Sequence, residues 1–331
     1  MTIGNVGVGY SDTRNGFSVA GGLLAFQTLA PIGTELAWFS RSGERVSTVG
    51  AQGAYANPQL SPDGARLAVQ DRDGQTGKTD VWVIDLTRGV RSRATFDPTN
   101  GAVPLWSPDG TNIVFKNPVG QTPAGMFRRR ASGSGAEEQL LTADRVFPDS
   151  YSPDGRYIVY TTINTQTNRD IGVLPLFGDR KPFFYLHSTY NETQGHFSPD
   201  GKWMAYSSDE SRTTEVYVQS FPAGGPRVRV STMGGAQARW RRDGRELFYL
   251  SPGGHLMAVP IQTTPDLRVG TPSMLFHSSA DPQSGLGTNA NYDVTADGQR
   301  FIVASGLNAA DSPPITVVLN WQAVLGTREK R

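Results

Sequence analysis

Six aspartates recur at one position of a repeated phrase: Asp63, Asp109, Asp154, Asp200, Asp243 and Asp297. A ring of carboxylates could hold a cation or exchange protons with a substrate. Their neighbours point elsewhere. Each is followed at once by glycine, and four sit in an intact Ser-Pro-Asp-Gly, at 61–64, 107–110, 152–155 and 198–201. Proline presets φ at the second turn position, aspartate bonds a neighbouring backbone N–H, and glycine accepts the left-handed conformation. The pattern predicts tight turns spread around one rim, with carboxylates too far apart to share an ion.

The other reactive residues form no constellation in the sequence. His187, His196, His255 and His277 show no metal-ligand spacing. There is no cysteine, which removes disulfides, thiolate catalysis and thiolate-held metal. The stretch Ser132–Gly135 lacks the strand–turn–helix serine motif of a hydrolase. Arg128, Arg129 and Arg130 fall on a strand, so at most two share a surface. They read as blade-edge ion pairs, as does the looser set Arg239, Arg241, Arg242 and Arg245.

The elements that carry these residues are hairpins. Aligned on the turn glycine, the copies centre on Gly21, Gly64, Gly110, Gly155, Gly201, Gly244 and Gly298, at steps of 43, 46, 45, 46, 43 and 54 residues. Four positions earlier stand Phe17, Leu60, Trp106, Tyr151, Phe197, Trp240 and Val294. Three positions later stand Leu24, Leu67, Ile113, Ile158, Met204, Leu247 and Phe301. The next two residues are apolar as well, so the second strand needs cover on both faces. One repeat cannot supply that cover; a neighbour on each side can. A period near 45 with a strong hairpin per unit fits a propeller blade of four short strands.

The fold expected is therefore all-β: a single β-propeller of four-stranded antiparallel blades over residues 1–325, with 326–331 a frayed tail. Seven blades are favoured, with six the alternative if the degenerate Gly21 copy forms none. Third strands are expected at Glu35–Phe39, Asp80–Leu86, Gly125–Arg129, Asp170–Leu176, Glu215–Phe221, His255–Ile261 and Ile315–Trp321. The spare segment Ile3–Tyr10 would complete the last blade, closing the ring with an N-terminal strand and removing exposed edges.

A formal net charge of +1, from 31 basic and 30 acidic residues, gives no electrostatic reason to invoke nucleic acid. No secretory leader or membrane-spanning run is readable, so direct membrane insertion is not expected.

The Ser-Pro-Asp-Gly hairpins, the segment Phe197–Phe221 and the ending Ile315–Trp321 resemble TolB-type, WD-repeat-like propellers. More narrowly, they are similar to the propeller at the C-terminus of bacterial membrane-bound serine/threonine kinases. That resemblance implies a sensing or protein-interaction module, extracytoplasmic if it belongs with such a kinase or is TolB-like, and otherwise cytoplasmic. The kinase motifs themselves are absent from the sequence, so no kinase residue carries over.

Function is expected to be non-enzymatic: a scaffold for a protein or peptide partner, monomeric, with no cofactor and no metal. The alternative is a glycosidase- or lactonase-like enzyme working in the central channel, where Gln59, Asp149, Gln194 and Gln237 fall on inner strands. In a propeller the hairpin turns share one face with the turns between third and fourth strands. The longer connections gather on the other face, where rigid scaffolds place binding residues. The candidate contacts there are Asp71, Asp73, Lys78, Asn191, Glu192, Asp209, Glu210 and Arg212.

Overall fold

The computed structural model describes residues 17–20, 23–27, 33–95, 101–117, 124–222, 224–278, 280, 290–306 and 315–319. They fall into two compact units, Thr34–Ser305 and the two ends of the chain taken together.

Within the larger unit six blades follow one another. β3 (Thr34–Ser40) and β4 (Arg45–Gly53) come first in sequence but belong to the last blade. The first complete blade is β5 (Tyr55–Leu60), β6 (Arg66–Arg72), β7 (Thr79–Asp85) and β8 (Arg91–Arg93). The second is β9 (Ala102–Trp106), β10 (Asn112–Lys116), β11 (Gly125–Arg130) and β12 (Glu138–Thr142). The third is β13 (Val146–Tyr151), β14 (Tyr157–Asn164), β15 (Asn168–Pro175) and β16 (Phe183–Leu186). The fourth is β17 (Glu192–Phe197), β18 (Trp203–Ser208), β19 (Glu215–Ser220) and β20 (Val228–Arg229). The fifth is β21 (Ala236–Trp240), β22 (Glu246–Ser251) and β23 (His255–Gln262), with both β24 (Arg268–Val269) and β25 (Ser273–His277) paired to β23. The sixth joins the two ends of the unit: β26 (Tyr292–Val294), β27 (Arg300–Gly306), then β3 and β4.

The smaller unit is a separate three-stranded sheet. In it β1 (Phe17–Ala20) pairs with β2 (Leu23–Gln27), and β2 pairs with β28 (Ile315–Leu319).

Two expectations are corrected here. The blades of the larger unit number six, not the favoured seven, because β1 and β2 pair with β28 in a sheet of their own. The ring is closed by N-terminal strands, but by β3 and β4, so Glu35–Phe39 is the third strand of the Gly298 hairpin. Ile315–Leu319, expected there, pairs with β2 instead. Ile3–Tyr10 lies outside the described residues, as do most of the 279–289 insertion and the tail.

Side-chain alternation explains why the blades stack. On β6, Leu67 and Val69 enter one apolar cluster with Leu36, Trp38 and Ile302 of the sixth blade, while Ala68 enters the next with Trp106, Ile113 and Phe115 of the second. On β10, Ile113 and Phe115 face back and Val114 faces forward, against Ile158 and Tyr160. Six such clusters occur, one for each pair of neighbouring blades, the last linking Phe248 to Tyr292 and Phe301. A second strand is buried on both faces only because a blade stands on each side.

The repeated turns are built as their residue types dictate. Gly64, Gly110, Gly155, Gly201, Gly244 and Gly298 all have φ between 68° and 72°. In one copy the Ser198 hydroxyl donates to Asp200 Oδ1 at 2.5 Å and accepts the Trp203 N–H at 2.9 Å, and Asp200 Oδ1 accepts the Lys202 N–H at 3.1 Å. Ser152 and Asp154 repeat the set. The Ser61 hydroxyl holds the Asp63 carboxyl below its ordinary range, helped by the Ala65 N–H. These carboxylates serve the turns.

Candidate binding site at the mouth of the channel

The first strand of each blade lines the central channel. Counting five positions back from each turn glycine gives Gln59, Leu105, Ser150, His196, Arg239 and Asp293. Two positions earlier still, Asn57, Val103, Gln194 and Gln237 hold φ between 53° and 60°. Each of these residues interrupts the register of its hairpin with a bulge, which re-aims the side chains that follow.

The bulges also tie blade to blade. Gln194 Oε1 accepts the Gln237 N–H at 2.9 Å, and Gln237 Oε1 accepts the Asn291 N–H at 2.8 Å. Asn57 Oδ1 accepts the Ala290 N–H at 2.7 Å, and Gln70 Oε1 accepts the Val103 N–H at 3.2 Å. At this level, with Asn57, Val103 and Gln194 in its wall, the channel narrows to about 20 Å³, bounded also by Gln59, Pro104, Asp149, His196 and Arg239.

Above it, on the hairpin-turn face, the channel opens into a depression of about 540 Å³. Its rim carries the turn prolines Pro62, Pro108, Pro153 and Pro199, and its wall the indoles Trp106 and Trp240. Each indole N–H donates to the preceding blade, Trp106 to Gln59 O at 3.0 Å and Trp240 to His196 O at 3.1 Å. Those bonds fix two large apolar walls in place.

The floor is polar and asymmetric. Arg239, buried, gives Nη1 to Ala238 O at 2.9 Å and lies 3.7 Å through Nε from Asp293 Oδ1. Asp293 Oδ2 accepts the Leu60 N–H at 2.7 Å. Burial raises its carboxyl above the ordinary range against the pull of Arg239. His196 Nδ1 is enclosed and finds no hydrogen-bond partner among the described residues. Burial, with Arg239 beside it, lowers the imidazole to about 3, so the ring is neutral. Asp149, deeper in, accepts from Thr161 Oγ1 at 2.7 Å and from the Gly195 N–H at 3.3 Å, and burial raises it to about 7. At the rim, exposed Arg242 reaches across the sixth blade to Pro62 O at 2.9 Å. The floor thus offers a guanidinium, a neutral imidazole and a carboxyl beneath an apolar wall, a set able to receive a polar chain by hydrogen bonds.

The loop-face candidates lie in two groups, on the first and fourth blades. On the first, Asp71 is paired with Arg91 at 2.8 Å, Asp73 caps its own loop through the Thr76 N–H at 2.7 Å, and Lys78 is exposed. On the fourth, Asn191 meets Asp209 through Nδ2 at 2.6 Å, and Glu210 is ion-paired to Arg227. Exposed Arg212 follows in the same loop, its N–H bonded to Asp209 O at 2.8 Å, and Glu192 is buried at 1% exposure. The sequence reading named Gln59, Asp149, Gln194 and Gln237 but passed over His196, Arg239 and Asp293 as channel residues. Their common offset from the turn glycine was the signal. Arg128 and Arg129 are paired with Glu138 and Glu137, as expected of a blade edge.

Residues 17–179 match the family described as the TolB beta propeller domain. The fold is a β-propeller, similar to that of TolB. A structure assigned as TolB from Agrobacterium tumefaciens superposes with a TM-score of 0.67 at 14% identity, over 84% of this chain and 99% of that one. TolB from Acinetobacter baumannii gives 0.57 at 18%, over 75% of this chain and 66% of that one. At these identities the likeness shows the fold. Among curated sequences, the uncharacterized peptidase YuxL of Bacillus subtilis (strain 168) is 25% identical over 188 residues, 54% of this chain and 26% of that protein. The matched part therefore spans about a quarter of that relative's length. Among the described residues no helix is long and apolar enough to cross a membrane.

Proposed function

We propose that this TolB-type ring is a non-enzymatic scaffold that takes a peptide segment of a protein partner at the mouth of its channel. The observation that carries the reading is the depression of about 540 Å³ on the hairpin-turn face, walled by fixed indoles and turn prolines over the Arg239–His196–Asp293 floor. Proline and indole walls suit extended chain, and a polar floor can pair with its backbone amides. Asp149 and Asp293, the channel carboxyls an enzyme would use, are each engaged by backbone N–H donors. The resemblance to TolB carries with it the proposal that the ring works outside the cytoplasm.

The test is capture of a partner by the intact chain, compared with P153R and R242E at the rim. Both residues are exposed, so both variants should keep the wild-type melting temperature while losing the partner. D209K on the loop face should retain it. Capture that survives both rim changes and fails with D209K moves the binding surface to the loop face.

A further inference from the structure

A second cavity, of about 560 Å³, lies between the third and fourth blades. Tyr185, Leu186 and His187, on and after β16, form one side. Glu192, Gln219 and Arg227 of the fourth blade form the other. The outer strand of the fourth blade, β20, which follows Arg227, is only two residues long.

Glu192 is the unusual group in this wall. It is 1% exposed, Oε1 accepts the Ser188 hydroxyl, and Oε2 has no hydrogen-bond partner among the described residues. A buried carboxyl oxygen left unsatisfied is costly and uncommon in folded proteins. Its surroundings do not neutralise it. Asp170, wholly buried on β15, is held by Asn164 at 2.7 Å and Thr167 at 2.6 Å, and its Oδ1 lies 3.1 Å from His187 Nδ1. Asp209 is taken up by Asn191, and Glu210 is paired with Arg227. Among the described residues Arg169 donates through Nη1 to Asn191, at 3.3 Å. Arg227 also acts on Glu192, but four carboxyl groups still face only two guanidinium groups and the His187 imidazole, so even with that ring counted as a cation the balance calls for a further positive charge.

We infer that this cavity binds a primary ammonium group, with Glu192 Oε2 its principal acceptor and the Gln219 side chain a second polar contact. Among the described residues no three His, Asp or Glu side chains come together to hold a metal ion, whereas an ammonium brings its own three donors. Burial, with Asp170 and Asp209 nearby, raises the Glu192 carboxyl to about 7. An arriving cation therefore displaces a proton that is weakly held near neutrality. The site is distinct from the channel mouth, and its test is independent of the scaffold reading.

Isothermal titration of the full chain with 1,4-diaminobutane and with acetyl-Gly-Lys-Gly-amide tests it. Saturable binding is expected, weakened about tenfold or more in E192Q, and weakened by a similar factor between about pH 8 and pH 6 as protonation competes. Binding of the peptide alone assigns a protein lysine as the source, and binding of the diamine alone a free amine. P226W, at the exposed lip, should abolish binding without altering the fold, and it decides the matter should E192Q unfold. Equal affinity in E192Q, binding indifferent to P226W, or no saturable binding of either probe overturns the proposal.

Discussion

Arg41 and Glu246 form a clasp between the sixth blade and the fifth. Arg41 stands on the turn between β3 and β4, and its Nη1 donates to Glu246 Oε2 and to Gly298 O, both at 3.1 Å. Glu246 also receives Arg241 at 3.1 Å. The N-terminal strands of the larger unit are thus fastened to the hairpins of both the fifth and the sixth blades. Both side chains are partly shielded, so the pair should exceed an open surface bridge. R41A and E246A are each expected to lower unfolding stability by about 1–2 kcal/mol in urea titrations, with a double-mutant coupling of about 0.5 kcal/mol or more. Strictly additive losses would show that the clasp contributes nothing of its own.

Asp149 sets a pH dependence of defined sign. Its folded-state carboxyl titrates near 7 because burial disfavours the charge, whereas in the unfolded chain it titrates near the ordinary value of about 4. Between those values the folded state holds the proton and the unfolded state does not. Stability must therefore fall as pH rises from about 4 to 7, by up to about 1.4 kcal/mol per unit. D149N keeps acceptors for Thr161 and Gly195 and removes the titration. Chemical denaturation at about pH 5 and pH 8 should show the variant gaining on the wild type at the higher pH. An unchanged difference between them at the two values would refute the assignment.

His196 works in the opposite direction. Its folded-state value is lowered to about 3 by burial and by Arg239, below the unfolded value of about 6.5. The unfolded chain takes up the proton first, so this contribution is lost as pH falls from about 6.5 toward 3. H196Q should flatten the acid limb of the stability profile. In the wild type, the His196 ring resonances should stay fixed from about pH 8 to pH 5; titration of those signals in that range would contradict the buried placement.

The hairpins were legible because every second strand is apolar on both faces and every turn carries its glycine; Leu67 next to Ala68 next to Val69 admits few other readings. The blade count was not. The sixth blade is assembled from Tyr292–Gly306 and Thr34–Gly53, and nothing local in Glu35–Phe39 says that its partner lies some 260 residues downstream. The Gly21 copy, which lacks the aspartate of all the others and the proline of four of them, has the alternating apolar pattern of a blade, which is why seven blades are favoured from the sequence. The channel was half legible. Amides such as Gln194 and Gln237 look out of place on inner strands, but His196 and Arg239 become neighbours only when two blades are set side by side. Glu192 was read as a contact in the connections of the loop-rich face; it comes near Asp170 of the third blade only when the two blades are set side by side, which sequence spacing does not reveal.

Gly172 tests the packing between strands in one atom. It lies opposite Tyr160 in the β14–β15 pairing, and a Cβ placed on it would come within 2.3 Å of the Tyr160 ring. Tyr160 in turn packs with Leu105, Val114 and Ile158 at the joint between the second and third blades. The ring cannot swing away without opening that cluster, so the added methyl must be accommodated by displacing a blade contact. G172A is expected to cost about 1–3 kcal/mol, the range of an overpacked core site. Because the strain resides in the ring, Y160L in the same chain should recover part of the loss even though Y160L alone is destabilising. A double variant no more stable than the sum of its two single losses would place the clash elsewhere.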